Sequence, residues 1–347
     1  MPPLMVSHAT FGPRPEAVPA VDVAGEFETI ERLLRPLAHP DYARNLSDDV
    51  AVLPSRPGHD LVLTKDALVE GVHFLPDDPL DTVAQKLLRV NLSDLAAKGA
   101  EPFGYLLACH WSDRCGWPER EAFASGLAAD QKTFGIHLLG GDTVVTPGPL
   151  SLSATLLGWV PEGTAPRRAG ARPGDAVYVT GTIGDGWLGL EAARGRLALA
   201  PDRVGALAEH YRRPVPRLEF GKAVRGMVSA MMDISDGLVA DARHIAQASG
   251  VGLALDLEVV PLSAAAHAWF DIRIDPEAAM ERLVTGGDDY ELLLTAPERD
   301  EAALRREADR LRLRLTRIGR VVAGTGVEAR YLGNRLDVGA GGWVHGG

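Results

Sequence analysis

The residues able to do chemistry in this chain are aspartates set beside Gly, Ser or Thr in short breaks after apolar runs. They stand in Ser47-Asp48-Asp49, Thr64-Lys65-Asp66, Gly140-Gly141-Asp142-Thr143, Asp233-Ile234-Ser235-Asp236-Gly237 and Gly286-Gly287-Asp288-Asp289. A sixth station, Asp94, falls inside the stretch 90–102, on a helical face shared with Asn91 and Lys98. Taken singly, Asp94 and Lys98 make an ordinary exposed i,i+4 pair worth about 0.3–0.5 kcal/mol. Brought to one site, the carboxylates would repel by about 3 kcal/mol per pair at about 5 Å and an effective dielectric of about 20. A shared site therefore requires protonated carboxyls or bound cations, and hard oxygen ligands on loops suit Mg²⁺.

Bulk properties narrow the classes. A chain of 347 residues with 24% charged and 46% hydrophobic residues is long enough for two ordinary globular domains. The net charge of -11 and the lack of a Lys/Arg block argue against a nucleic-acid surface. Cys109 and Cys115 have no metal-ligand spacing and read as thiols of a reducing compartment, with the cytoplasm the expected location. No apolar run approaches the roughly 18 residues that span a bilayer, so no membrane partner is expected. Residues 1–24, with five prolines and no signal-peptide pattern, read as a disordered tail.

The elements that must position the aspartates read as alternating strands and helices. A helix over 26–35 ends at Pro36, and strands at 50–53 and 61–64 put Asp48 and Asp49 at one strand mouth and Asp66 at the end of the other. His73 follows on a loop beside Gly71, a setting that is more often structural than catalytic. Asp81 caps the helix that carries Asp94 and stops at Gly99. A strand over 105–109, a helix over 119–133 and a strand over 136–139 come next, the last emptying into Gly140-Gly141-Asp142, where ligands of α/β sheets gather. A strand over 150–160 closes the first domain, and the Pro- and Gly-rich 161–174 reads as a connection. Arg168 in it is within reach of a phosphate, although an exposed linker arginine is commoner.

In the second domain a strand over 176–180 runs through a glycine-rich loop into a helix, and such a loop can offer N–H groups to phosphate. Gly184, Gly186 and Gly189 match a bare G-x-G-x-x-G, but neither a second strand ending in an acid nor a Walker lysine follows, so the signal is weak. A strand over 227–232 delivers Asp233 to a helix over 238–248 that Ser235 or Asp236 would cap, leaving Asp233 without a local role. A strand over 251–260, a helix over 275–283, a loop and strand over 286–295, a helix over 298–311, a strand over 315–321 and a hairpin over 327–338 complete the pattern.

Eight segments in this order, SDDVAVL, TKDALVEGVHF, VNLSDLAAKGAEP, LLGGDTV, RAGARPGD, TGTIGDG, DISDGL and GGDDYELLLT, resemble the bacterial thiamine-monophosphate kinase family, within the superfamily of aminoimidazole ribonucleotide synthetase-like ATP enzymes. The resemblance runs from about Gly25 to the end of the chain. It implies a mixed α/β fold of two domains around a cleft, 25–160 for metal, ATP and dimerisation and 161–347 for the remainder. It implies transfer of the ATP γ-phosphoryl group to thiamine monophosphate, with several Mg²⁺ ions between the substrates and a homodimer formed through the first domain. By matching positions, Asp49, Thr64, Asp66, Asp94, Asp142, Asp233 and Asp236 would contribute to metal binding, with Asp94, Asp142 and Asp233 central to catalysis. Gly141, Asp142, Arg168 and Ser235 would lie along ATP, and His73, Asp288 and Trp343 near the thiamine phosphate. Three departures stand out: Lys65 where a small hydroxyl residue is usual, in a chain with only five lysines; Asp288 where Glu is usual; and Ser47 in place of glycine. Lys65 could replace a metal contact or a cation. The alternatives are a selenophosphate or aminoimidazole ribonucleotide synthetase of the same superfamily, or a non-catalytic sensor of thiamine phosphates or nucleotide.

Overall fold

A computed structural model of the chain describes residues 25–336 and 338. The 1–24 tail and Trp343 lie outside the described residues. The first half comprises α1 (Glu26–Thr29), β1 (His59–Val69), α2 (Leu80–Ala97), β2 (Glu101–Ser112), α3 (Trp117–Phe134), β3 (His137–Thr146) and β4 (Ser151–Pro161). The second comprises β5 (Ala176–Thr180), α4 (Asp185–Ala193), α5 (Pro201–Arg212), α6 (Leu218–Val224), β6 (Ala230–Asp233), α7 (Leu238–Ser249), β7 (Gly252–Asp256), α8 (Ala264–Phe270), α9 (Pro276–Thr285), β8 (Leu292–Ala296), α10 (Glu301–Arg310), β9 (Leu315–Val322), β10 (Gly326–Tyr331) and β11 (Asn334–Arg335). One sheet has four strands in the order β1-β4-β2-β3, the other seven in the order β11-β10-β7-β9-β5-β8-β6. Among these strands of the described residues, β2 pairs with β3 and β7 with β10 in parallel, and the other pairings are antiparallel. Among the described residues no helix is long and apolar enough to cross a membrane.

Helix α2 is the part that both sheets share. Its Val83, Leu87, Leu88, Leu92 and Leu95 are buried in a core that continues through Phe220 and Val224 of α6 to Met231 and Leu294 of the second sheet. Burial of a Leu or Val side chain contributes roughly 1.5–3 kcal/mol, so this double-sided packing fixes α2 firmly. Close approach is required on the α6 side: a Cβ on Gly221 would lie 2.0 Å from the Ala96 carbonyl oxygen. Polar α2 residues are paired inward too. Arg89 grips the buried Asp130 of α3 with Nε and Nη2 at 2.7 and 2.9 Å, and Gln85 donates to the same carboxylate at 2.8 Å.

Several elements differ from the sequence-based expectations. Residues 50–53 form no strand. Asp66 and Asp142 sit within long strands, β1 and β3, rather than at strand ends, because pairing with β4 and β2 extends both strands through the polar positions. The α2 N-cap is Pro79, with Asp81 in the first turn, where it favours the positive end of the helix dipole and receives Arg213 Nη2 at 3.1 Å. Residues 26–37 form three short pieces, α1 followed by a π turn and a 3₁₀ turn that absorbs Pro36. The strand near 251–260 stops at Asp256 and continues as a 3₁₀ turn. Helices α5, α6 and α8 come in addition to the elements expected from the sequence pattern.

Candidate functional site

Alternation along β1 sorts the Thr64-Lys65-Asp66 run between two faces. Thr64 and Asp66 face α2, where Thr64 Oγ1 donates to Asp94 Oδ2 and the Asp66 amide donates to Asn91 Oδ1 at 3.1 Å. Asn91 is held in turn, its Nδ2 donating to the Leu87 carbonyl one helical turn back at 2.9 Å. Asp233 ends β6 close to the same carboxylates, buried. Burial pushes the Asp66 carboxyl up to about 6, with the Asp94 charge adding to the rise. Burial also pushes Asp233 up to about 7, with the charges of Asp94 and Asp66 in the same direction and the Ser93 hydroxyl opposing them. Three carboxylates from β1, α2 and β6 therefore converge.

Lys98, at the C-cap of α2, stands beside this group. Its ammonium is held below the ordinary lysine range by burial and then by the nearby Arg168 charge, against the pull of Asp233 and Asp94. Its Nζ donates to the Met231 carbonyl at 3.4 Å. The exposed Arg168 thus lies at the edge of the carboxylate group. Lys65 does not join it. Its side chain lies on the opposite face of β1, where Nζ donates to Ser153 Oγ of β4 at 3.3 Å, so it substitutes for neither a metal contact nor a cation in this cluster.

Asp49, Gly141 and Asp142 stand in a second group, lining a cavity of about 550 Å³ with Leu46, Leu106 and Leu139. Thr143 is buried and its Oγ1 accepts from Trp111 Nε1 at 2.8 Å, which turns the preceding Asp142 to the open face of the sheet. Gly141 permits β3 to pair this closely with β2, since a Cβ there would lie 1.7 Å from the Leu107 carbonyl oxygen. Asp48 is engaged by Arg44 and accepts from the Asp49 amide at 2.9 Å, and Ser47 Oγ donates to the Arg44 carbonyl at 2.6 Å.

The loop at 286–291 is held from four sides. The Asp288 amide donates to the Ser235 carbonyl at 2.9 Å, and the Tyr290 amide to the Ile234 carbonyl at 2.8 Å. Buried Asp289 accepts from the Gly184 and Gly186 amides at 2.9 and 3.0 Å, and burial holds its carboxyl well above the usual range. Those amides are the ones the glycine-rich loop was expected to offer to phosphate, and the chain supplies its own carboxylate to them instead. Glu291 receives both Arg217 nitrogens and the Thr180 hydroxyl. Asp288 receives Lys86 Nζ at 2.8 Å, and the same ammonium donates to the His73 carbonyl at 3.2 Å, so His73 and Asp288 are brought to one place from the two halves of the chain. The His73 ring accepts the Val69 amide on Nδ1 at 3.0 Å.

Around Ser235 and Asp236 the expected caps are reversed. The N-cap of α7 is Gly237, and the Ser235 and Asp236 amides donate instead to Asp241 Oδ2 at 3.0 and 3.1 Å. Burial pushes Asp241 up to about 8, with the charges of Asp233 and Asp236 in the same direction. Asp236, Asp241 and His244 each place a ligand atom within 4.8 Å of the others.

With this geometry in place, likeness to known proteins decides the family. The model of AIR synthase related protein, N-terminal domain, matches residues 47–160, and that of the C-terminal domain matches 172–332. A thiamine-monophosphate kinase of Caulobacter vibrioides is 50% identical over 331 residues, covering 95% of this chain and 93% of the relative. The chain belongs to the thiamine-monophosphate kinase family. The crystal structure of thiamine-monophosphate kinase from Stenotrophomonas maltophilia K279a superposes with a TM-score of 0.75 at 38% identity, covering 85% of this chain and 93% of that one. A structure of AaThiL complexed with AMPPCP and TMP gives 0.73 at 32% identity, covering 92% and 97%. Three structurally engaged residues carry no role in the sequence pattern, Lys86, Arg217 and Asp241, and Asp289 stands there only as one of the acidic stations. Lys86 had a signal, a charge among the apolar positions of 83–88; the others acquire their roles only through distant partners.

Proposed function

We propose that this chain phosphorylates thiamine monophosphate with ATP, giving thiamine diphosphate and ADP by direct in-line transfer. The observation that carries the reading is the convergence of Asp66, Asp94 and Asp233 from three elements. A terminal phosphate oxygen of thiamine monophosphate forms the new bond to the γ-phosphorus as the bond to the ADP oxygen breaks. With a second pKa of about 6 that phosphate is already largely dianionic at neutral pH, so no general base is needed. The obstacle is repulsion between anions, and positioning with charge neutralisation removes it.

Mg²⁺ fits the residues present. Asp66 and Asp233 are raised by burial and by neighbouring carboxylates, the condition in which a hard cation is favoured over protons at neutral pH. Asp66, Asp94 and Asp233 would hold it, with Asp236 as a further oxygen ligand, while Asp49 and Asp142, in the separate group beside the cavity, would hold another ion. When bound, it supplies positive charge to the phosphates. Thr64 orients Asp94 through its hydroxyl. We assign the cavity bordered by Gly141 and Asp142 to ATP; Arg168, at the edge of the carboxylate group, and Ser235 would contact the nucleotide, and His73 and Asp288 would form the acceptor side.

We divide the chain at 160 into two domains and assign a homodimer to the first. Its four-stranded sheet leaves Leu61, Leu63, Leu106 and Val144 exposed on the face away from α2, an apolar surface that a second copy of the same sheet would cover. We assign the reaction to the cytoplasm, a reading supported by two free, buried cysteines and by ATP as co-substrate. The test is a chromatographic assay with ATP, Mg²⁺ and thiamine monophosphate, with free thiamine and metal-free controls. Equal amounts of thiamine diphosphate and ADP, absent from both controls, are expected. No product from folded protein that binds nucleotide would overturn the reading in favour of a sensor or another acceptor.

A further inference from the structure

Lys86 is buried on α2, with 3% of its side chain exposed. An ammonium has three N–H donors and no acceptor, and here each donor has a place to go. Nζ lies 2.8 Å from Asp288 Oδ2, 3.2 Å from the His73 carbonyl oxygen and 3.8 Å from the centre of the Tyr211 ring. The last is a cation–π contact with α5. The second Asp288 oxygen accepts from the Tyr290 hydroxyl at 3.2 Å. The backbone at Asp288 and Tyr290 is in the left-handed region, at φ 70° and 50°, which residues with side chains rarely adopt. Asp288 is thus gripped on both oxygens while its backbone is held in an uncommon conformation.

We infer that Lys86 is a positioning residue for the acceptor side of the site: anchored on the His73 carbonyl and the Tyr211 ring, it fixes the Asp288 carboxylate in place across the junction of the two sheets. The inference rests on Asp288 being a contact for thiamine monophosphate, as proposed above. With its donors engaged inside the protein, the ammonium acts through Asp288 and does not itself hold phosphate. Shape alone does not explain a lysine here, because a buried ammonium without partners is costly and a methionine of similar length fills the same space.

Steady-state kinetics of the full chain, with thiamine monophosphate and ATP varied separately, test this in Lys86→Met, Asp288→Asn and the double variant. Lys86→Met is expected to raise the KM for thiamine monophosphate about tenfold and to leave the KM for ATP within about twofold. The double variant is expected to match Asp288→Asn within about twofold, since both changes act on one carboxylate. Equal rises in both KM values for Lys86→Met, or a double variant whose effect is the product of the single effects, would overturn the inference. An Asp288→Asn variant with an unchanged KM for thiamine monophosphate would remove Asp288 from the acceptor side, and the Lys86 inference with it. A raised KM in Asp288→Asn alongside an unaltered Lys86→Met would overturn the Lys86 inference alone. If Lys86→Met does not fold, because Asp288 is then left unpaired, the double variant against Asp288→Asn decides, and a further rise beyond about twofold counts against the inference.

Discussion

Replacing Thr64 with Val removes the hydroxyl that orients Asp94 and keeps the branched shape of the side chain. Thr64 Oγ1 donates to Asp94 Oδ2, and both residues are half-buried. A hydrogen bond to a charged group contributes about 1.5–3 kcal/mol, equivalent to roughly 10- to 150-fold in an equilibrium constant. Water reaches a half-buried carboxylate and replaces part of the lost donor, so the lower end applies, about tenfold. The assay is activity against Mg²⁺ concentration at saturating ATP and thiamine monophosphate. Thr64→Val is expected to need about tenfold more Mg²⁺ for half-maximal activity, and Thr64→Ser, which keeps the hydroxyl, about as much as the parent. An unchanged Mg²⁺ requirement in Thr64→Val would refute the idea that this hydroxyl prepares Asp94 for a cation. A Thr64→Ser variant as impaired as Thr64→Val would assign the effect to methyl packing.

Asp142→Asn is expected to abolish turnover with the fold intact by circular dichroism, and a near-normal rate would remove Asp142 from the cation and nucleotide site. Lys65→Thr is expected to leave the Mg²⁺ requirement within about twofold of the parent, because Lys65 faces away from Asp66 and Asp94; a change beyond that would place the ammonium in the cluster after all. In metal-free protein, Asp66 and Asp233 are raised to about 6 and about 7, so they contribute stability at acid pH that is lost as pH rises through those values. Mg²⁺ is therefore expected to raise Tm, and by more at about pH 8 than at about pH 5. Equal increments at both pH values would separate Asp66 and Asp233 from the cation.

The sequence by itself determined the acidic stations, the run of α2 and the family resemblance, because each is local. Apolar spacing with Gly99 and Pro102 beyond the end reads as a helix without knowledge of anything packed on it, and the structure places that helix at Leu80–Ala97. Tertiary structure alone decided which way the acids point. Period-two alternation has two phases, and nothing local says which face of β1 or β3 a helix will cover, so the separation of Lys65 from Asp66 and the turning of Asp142 to the open face followed only from the packing of α2 and the pairing of β2 with β3. The glycine-rich loop makes the same point at longer range. Its amides look available for phosphate in sequence, but Asp289, more than a hundred residues away, folds back to occupy them. A buried N–H must find an acceptor, and which acceptor arrives is a property of the whole fold.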